Sequence, residues 1–168
     1  MSPAAVRIRS ARTADVLPMQ ELMQPFVAER VLLGKELVAL YEAVPEFLVA
    51  TQDDRVVGFG ALHVFWADLA EVRTLAVSPE MQGQGVGGQL VEQLVARAAG
   101  YGVGRVFCLT FEVPFFERHG FTALADPGVD AGTYSQLVRS PDEGVAEFLE
   151  LARVKQNTLG NTRMIRHL

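Results

Sequence analysis

A glycine-rich segment near the middle of the chain limits its possible folds more than any other feature. The segment Gln82 to Gly88 contains four glycines and follows a strand-like apolar run, Val72 to Val77, and a turn at Ser78-Pro79. It precedes Gln89 to Ala99, where apolar residues recur at helical spacing. A strand, a glycine loop and a helix in this order direct backbone N–H groups at an anion, usually a phosphate. Glycine leaves room for the anion because it has no Cβ.

Two common phosphate-binding loops do not match this segment. A P-loop requires Gly-Lys-Ser/Thr, which the chain lacks. A dinucleotide-binding Gly-x-Gly-x-x-Gly loop fits poorly, because no early strand precedes it near the N-terminus. A flexible surface turn is the remaining alternative at this point.

Length, charge and cysteine content exclude several classes of protein. The 168 residues predict one domain, residues 1–168, that buries a core without metals or disulfides. The net charge of −5 argues against a nucleic-acid partner, since neutralising phosphates needs a basic surface. No apolar run approaches the roughly 20 residues that span a bilayer, and no signal peptide is evident. The single Cys108 predicts a buried thiol in a reducing compartment, so a cytoplasmic protein is expected.

The hydrophobic periodicity predicts a mixed α/β fold. The expected strands are Val6–Arg9, Phe47–Thr51, Val56–Val64, Glu71–Val77, Arg105–Leu109 and Phe121–Leu124. The expected helices are one from Thr13 that ends or bends at Pro25, and others at Glu36–Tyr41, Gln89–Ala99 and Phe115–His119. Gly144 to Val154 fits a helix or a strand, and Asn157 to Leu168 is unassigned. The sheet should pair antiparallel first and parallel later, with helices on both faces and a ligand cleft where the pairing changes.

The loop spacing resembles the acyl-CoA loop of the GNAT N-acetyltransferase superfamily, Gln/Arg-x-x-Gly-x-Gly/Ala, with Gln82, Gly85 and Gly87 at its defining positions. The preceding Leu75 to Pro79 is similar to the strand exit of that family. The resemblance implies the GNAT fold with a splayed central sheet, acetyl-CoA as co-substrate and no metal. It also implies a set of cofactor-binding residues: Leu75, Ala76, Val77, Gln82, Gly83, Gln84, Gly85, Val86, Gly87, Gly88, Phe115 and Phe116.

A second segment resembles the closing motif of the same superfamily, aromatic-x-x-x-Gly-Phe, here Phe116 to Phe121. Most relatives have a Tyr at the Phe116 position, and this Tyr protonates the departing thiolate. Phe116 has no proton to give, so another donor, water included, must serve. The family implies a Ser or Thr donor at Thr110. The alternative for a strand-end threonine is that it only favours β-structure.

Three stretches narrow the resemblance to amino-acid N-acetyltransferases of the N-acetylglutamate synthase type: Gly60–His63, Ala70–Val77 and Leu109-Thr110. The likeness covers nearly the whole chain. Long forms carry an additional amino-acid-kinase domain, for which 168 residues leave no room, so a short, stand-alone, actinobacterial-like form is expected. The resemblance implies acetyl transfer to the α-amine of L-glutamate, or of L-glutamine, as the first step of arginine biosynthesis. Direct attack in a ternary complex is expected, and homodimers are common in the family.

Glu71 is the expected general base, because the family carries a catalytic Glu at the matching position. A carboxylate in a half-buried cleft can have its pKa raised towards roughly 6–7, which suits a base near neutral pH. The alternative is a solvated charge at the end of the strand. With Arg73 and Leu75, Glu71 should share one strand face, and Thr74 should lie on the other.

The expected substrate-binding residues are Lys35, Arg73, Thr74, Phe111 and Asn161. Lys35 lies in Leu32 to Glu36, which resembles a substrate-side helix, and a cation there can receive a carboxylate. His63 and His119 have no ligand-spaced partners, which argues against a metal site.

Two other functions stay open on the sequence alone. One is a GNAT enzyme for another amine, such as a protein N-terminus, a lysine or a small-molecule amine. A cationic amine prefers an acidic cleft, so the orientation of Lys35 and Arg73 would discriminate. The other is a non-catalytic acetyl-CoA-binding domain, which would lack a base.

Overall fold

The computed structural model describes residues 4–32, 34–126, 128–149 and 161–168. The strands are β1 (Arg7–Ser10), β2 (Phe47–Gln52), β3 (Arg55–Trp66), β4 (Leu69–Val77), β5 (Arg105–Thr110), β6 (Thr122–Ala123) and β7 (Thr162–His167). The α-helices are α1 (Val16–Ala28), α2 (Leu37–Glu42), α3 (Val86–Gly100), α4 (Val113–Glu117), α5 (Ala131–Leu137) and α6 (Glu143–Phe148). None of these helices is long and apolar enough to cross a membrane.

The strands form one mixed sheet in the order β1-β2-β3-β4-β5-β7-β6. Strands β1 to β4 pair antiparallel, and β4 and β5, which α3 connects, pair parallel. The expectation of parallel pairing from there on is wrong, because β7 pairs antiparallel with both β5 and β6. The sequence pattern missed β7, whose mixed polarity hides its position inside the sheet, and it also missed α5.

Helices cover both faces of the sheet, which confirms the predicted fold class. Neighbouring residues of β2 show the two sides: Ala50 packs in the cluster beneath α3, and Val49 packs in the cluster beneath α1. A third cluster joins the sheet to α5 and α6 through Phe107 and Phe148, whose ring centroids are 4.0 Å apart. Cys108 faces the α3 side and is buried, as predicted.

The N-terminal helices differ from expectation at two places, the first of which concerns one of the two alternatives for Pro25. Pro25 does not end α1, which continues to Ala28 because Phe26 and Val27 still pack against its cluster. The segment around Lys35 is not helical: α2 begins at Leu37, so Lys35 lies in the connection between α1 and α2. The predicted element from Gly144 is a helix as far as Phe148, and residues 150–154 of that prediction lie outside the described part of the chain.

A β-bulge in β4 changes which residues share a face. Between the pairs Ala61–Arg73 and Phe59–Ala76 the register slips, so that β4 has one residue more than β3. The bulge includes Thr74, whose backbone lies in the left-handed region with a φ of 54°. Leu75 therefore turns into the α3 cluster instead of sharing a face with Glu71, and the predicted alternation is wrong beyond Arg73.

The bulge coincides with a split in the sheet. β4 pairs with β5 only from Leu69 to Glu71, although both strands continue. Beyond Glu71, the backbone N–H and C=O groups on that side of β4 are therefore not paired with β5. The split predicted at the change of pairing lies here, beside the glycine loop and Glu71.

Candidate active site

The glycine loop forms one wall of a cavity of about 820 Å³. The end of β4 and the first turn of α3 also line it, and helix α4 contributes Phe115. Of the predicted cofactor residues, ten line this cavity: Leu75, Ala76, Val77, Gln82, Gly83, Gly85, Val86, Gly87, Gly88 and Phe115.

The shape of the loop depends on two glycines in the left-handed region. Gly83 has a φ of 77°, and Gly85, the residue before α3, has a φ of 83°. A Cβ at either position would meet no described atom within 4 Å. Conformation therefore selects glycine there, and the space beside it stays open to a ligand. The N–H groups in the first turn of α3 have no partners within the helix, which suits them to bind an anion.

Two predicted cofactor residues lie outside this cavity. The side-chain amide of Gln84 donates to the carbonyl of Glu80. Phe116 is only 5% exposed and packs in the core, with its ring 5.2 Å from that of Phe121. Its neighbour Phe115 faces the cavity instead. The sequence does not show which of two adjacent phenylalanines in a short helix faces the core, so only the packing distinguishes Phe115 from Phe116.

A smaller cavity of about 350 Å³ adjoins the first. Val31 lines both cavities, and the consecutive residues Thr74 and Leu75 line one each. The predicted substrate residues Lys35, Arg73, Thr74 and Asn161 line the smaller cavity together with Glu71. The bulge is the reason that Thr74 lies on the same side as Glu71, against the expectation.

Arg73 is held by two carboxylates. Its Nη1 and Nη2 donate to the two oxygens of Asp142 at 2.7 and 2.6 Å, and Nη2 also donates to the Oε2 of Glu71 at 3.1 Å. Burial alone would lower the pKa of Arg73, but Glu71 and Asp142 outweigh it and hold that pKa above its usual value. Arg73 is therefore a charged anchor whose binding groups are largely occupied.

Glu71 is buried, at 5% exposure, and is the third residue of β4. It is not a solvated strand end, because β4 already pairs with β3 and β5 at that position. Burial raises the pKa of its carboxyl; Arg73 opposes this shift and the charge of Asp142 adds to it. A base with a raised pKa accepts a proton more readily from an ammonium group.

Lys35 lines the smaller cavity and forms no hydrogen bond or ion pair within the described part of the chain. Burial lowers its pKa, and the charge of Arg73 lowers it further, whereas Asp142 and Glu71 act in the opposite direction. Of the two cations among the described lining residues, Lys35 has its whole ammonium group available for a ligand, whereas Nη1 and Nη2 of Arg73 are engaged.

The segment Pro141 to Gly144, together with Glu147, lines the same cavity and was missed by sequence reasoning. Asp142 caps α6 by accepting from the N–H of Val145 at 3.0 Å. An Asp followed by a short helical stretch was the available signal, but 69 residues separate Asp142 from Arg73.

Carboxyl groups outnumber cations among the described lining residues of this cavity. The carboxyl groups are those of Glu36, Glu71, Asp142, Glu143 and Glu147, and the cations are Lys35 and Arg73.

His63 and His119, which have no ligand-spaced partners in the sequence, each have a carboxylate neighbour in the structure. Nδ1 of His63 contacts Oε1 of Glu46, and its Nε2 lies 3.9 Å from Oδ1 of Asp142. His119 lines the larger cavity, and its Nδ1 is 3.2 Å from Oε1 of Glu92. Among the described residues, no group of three or more His, Cys, Asp or Glu side chains could hold a metal ion.

Three other predicted residues are placed as follows. Thr110 is the last residue of β5 and is buried. Its Oγ1 accepts a hydrogen bond from the N–H of Glu112 at 2.8 Å. It is not among the residues that line either cavity. Phe111 is 43% exposed and also lies outside both. Asn161 donates through Nδ2 to Oε1 of Glu147 at 2.6 Å.

Burial, together with the charge of Glu71, raises the pKa of Cys108, which disfavours a nucleophilic thiolate.

Comparison with known proteins agrees with this geometry. The model of the Acetyltransferase (GNAT) domain matches residues 44–123. The amino-acid acetyltransferase of Mycobacterium tuberculosis is 50% identical over 161 residues, which cover 94% of this chain and 92% of that protein. The chain therefore belongs to the GNAT acetyltransferase family, as its loop predicted. An amino-acid acetyltransferase of Neisseria meningitidis is 31% identical over 125 residues, 73% of this chain and 29% of that protein.

Solved structures show the same relationship. The chain superposes on Rv2747 from Mycobacterium tuberculosis, in complex with CoA and the ligand NLQ, with a TM-score of 0.92 and 50% identity, covering 96% of this chain and 99% of that one. The N-acetylglutamate synthase of Neisseria gonorrhoeae, complexed with coenzyme A and N-acetyl-glutamate, gives a TM-score of 0.78 at 25% identity. That match covers 99% of this chain and 36% of the synthase.

The loop glycines provide a test of cofactor binding with an internal control. We expect Gly85→Ala to weaken acetyl-CoA binding by roughly tenfold or more, because the added methyl would obstruct hydrogen bonds to a charged group worth about 1.5–3 kcal/mol. The control is Gly102→Ala, which has nearly the same φ, 82°, and equally open surroundings. It lies beyond the far end of α3, roughly 22 Å away at 1.5 Å per residue.

Both variants should lose about 1–2 kcal/mol of stability from the left-handed backbone. Titration calorimetry with acetyl-CoA then separates strain from ligand contact. Equal affinities for the two variants would show that the loop does not hold the cofactor.

Proposed function

We propose that this protein transfers an acetyl group from acetyl-CoA to the α-amine of an amino acid, L-glutamate or L-glutamine. That reaction is the first step of arginine biosynthesis. The observation that carries the proposal is the buried carboxylate of Glu71, which lines an amino-acid-sized cavity next to the glycine-loop cavity. Relatives named amino-acid acetyltransferase, and a synthase solved with coenzyme A and N-acetyl-glutamate, support it.

In the proposed reaction, Glu71 accepts a proton from the substrate ammonium, directly or through water. The freed amine attacks the thioester carbon, the C–S bond breaks, and coenzyme A leaves as a thiolate that takes up a proton. The second proton on nitrogen passes to solvent. Backbone N–H groups of β4 at the split can polarise the thioester carbonyl. The two adjoining cavities hold the reactants together, so no acyl-enzyme is required.

Lys35 is the proposed receiver of the substrate α-carboxylate. Arg73 was expected to share that task, but Asp142 and Glu71 already engage its Nη1 and Nη2. We therefore assign Arg73 to holding Asp142 and Glu71 in place. Thr74 and Asn161 would contact the rest of the amino acid from the cavity wall.

The charge of the cavity bears on the choice of acceptor. Among the described lining residues, five carboxyl groups stand against two cations. However, Glu71 and Asp142 are paired with Arg73, and Glu143 and Glu147 have partners of their own, so glutamate and glutamine are both retained as acceptors. The same excess keeps a cationic amine as the second candidate. A thiol-release assay with acetyl-CoA across the twenty amino acids and several polyamines tests these alternatives. Mass spectrometry of the products should show α-acetylation of glutamine or glutamate, whereas turnover of polyamines alone would reject the proposal.

Thr110 is the proposed proton donor to the departing thiolate. We expect Thr110→Val to lower kcat by roughly a hundredfold, the lower range for a general acid, with little change in KM for acetyl-CoA. Thr162→Val is a matched control, because Thr162 is the β7 residue opposite Thr110. Stopped-flow measurement of thiol release checks the result, and equal kcat values in the two variants would leave protonation to water.

A further inference from the structure

The first turn of α6 lies directly against Glu71 and Arg73. A Cβ atom at Gly144 would be 2.5 Å from Oε2 of Glu71 and 2.6 Å from Nη2 of Arg73. Real Cβ atoms essentially never come this close to another heavy atom. Oε2 of Glu71 and Nη2 of Arg73 are side-chain ends hydrogen-bonded to each other, and Nη2 also donates to Asp142, so a side chain at residue 144 would displace either this network or α6.

The backbone conformation of Gly144 does not require glycine, since its φ is not positive. Helix α5 provides the comparison. Gly132 is likewise the second residue of its helix, and Asp130 caps α5 as Asp142 caps α6. A Cβ at Gly132 would approach Oδ1 of Asp130 at 3.2 Å, and one at Gly144 would approach Oδ2 of Asp142 at 3.1 Å. The two sites thus share their local constraint, and Gly144 alone adds the contact with Glu71 and Arg73.

We propose that Gly144 is a positioning residue, whose missing side chain allows α6 to close over Glu71 and to hold Asp142 beside the catalytic base. The inference rests on the proposed function, because it assigns a purpose to the burial of Glu71. It acts through the position of α6, because Gly144 has no side chain that could exchange a proton with the substrate. Its consequence is a base that works with little water around it.

The charges around Glu71 determine the direction of the effect. Arg73 and, from β3, His63 lower the pKa of Glu71, whereas burial and Asp142 raise it. Among the described residues, Lys35 from the α1–α2 connection, Glu143 and Glu147 from α6, and the neutral thiol of Cys108 on β5 are the other ionisable groups around it. A methyl group at position 144 would force α6 and the ends of Glu71 and Arg73 apart, which admits water and separates Asp142 from Glu71. Both changes lower the pKa of Glu71.

The experiment is a carboxyl ¹³C NMR titration of Glu71 in Gly144→Ala, Gly132→Ala and the unmodified protein, without substrate. We expect a decrease of roughly one pH unit for Gly144→Ala and no shift for Gly132→Ala, whose helix does not contact Glu71. The acid limb of the kcat/KM profile should move to lower pH by the same amount. A pKa that is unchanged or raised in Gly144→Ala would overturn the proposal.

A second pair of variants tests the same geometry without adding volume. Asp142→Asn keeps a good helix cap but removes the charge beside Glu71, and Asp130→Asn makes the same change on α5. Asp142→Asn should lower the pKa of Glu71, and Asp130→Asn should not. If neither Gly144→Ala nor Asp142→Asn moves that pKa, the positioning role fails, whether or not the protein acetylates amino acids. If the unmodified protein acetylates no amino acid, the proposed function fails instead.

Discussion

Glu71→Gln should lower kcat for the amino acid by roughly 10²- to 10³-fold at pH 7, the usual contribution of a general base. The amide keeps the size of the side chain and can still accept a hydrogen bond from Arg73, but it cannot take a proton. The loss should shrink as the pH rises towards 10, because more of the substrate is then already a free amine. Initial rates of thiol release from pH 6 to 10 measure this convergence.

The wild-type profile should fall on the acid side, since Glu71 acts only when deprotonated. Its pKa is raised, so this limb should lie above the ordinary glutamate value of about 4.3. Above the raised pKa, folding must bury the charged carboxylate at a cost in stability, so Glu71→Gln should not lower the melting temperature at pH 8. Glu21→Gln, an exposed substitution on α1, is the control. Wild-type turnover in Glu71→Gln across this range would remove Glu71 from the mechanism.

Lys35→Ala should raise KM for the amino acid by roughly ten- to a hundredfold and leave KM for acetyl-CoA nearly unchanged. A charge-assisted hydrogen bond contributes about 1.5–3 kcal/mol, which corresponds to that change in binding. Lys35 lines only the smaller of the two cavities, so its removal should not disturb the cofactor. Steady-state kinetics with each substrate varied in turn check the separation.

The matched control for Lys35 is a change in the substrate. An α-carboxamide analogue of the amino acid lacks the charge that Lys35 is proposed to bind, so its KM should be similar in the variant and the unmodified protein. Lys35→Arg should restore part of the affinity for the natural acid. An unchanged KM for glutamate and glutamine in Lys35→Ala, with efficient turnover of polyamines, would favour an acetyltransferase for other amines.

The cofactor side of the site could be predicted from the sequence because it is local. Strand, loop and helix are contiguous from Val72 to Ala99, and the positive φ values of Gly83 and Gly85 explain why glycines stand there. The apolar faces of β2, β3 and α3 follow from short-range periodicity, and Glu71 was assigned from the local resemblance of its strand to the family. The family, its fold class and the strand that carries the expected base were therefore determined by residues close together in the chain.

The acceptor side depended on contacts between distant residues. Because of the bulge at Thr74, Thr74 faces the smaller cavity with Glu71 and Leu75 does not. No residue pattern predicts a threonine with positive φ. Asp142 holds Arg73 across 69 residues of sequence, which converts an expected carboxylate receiver into an occupied anchor. Spacing along the chain reports which residues share a helix or strand. The packing of α6 on β4, and the charge it brings to Glu71, depend on the tertiary structure alone.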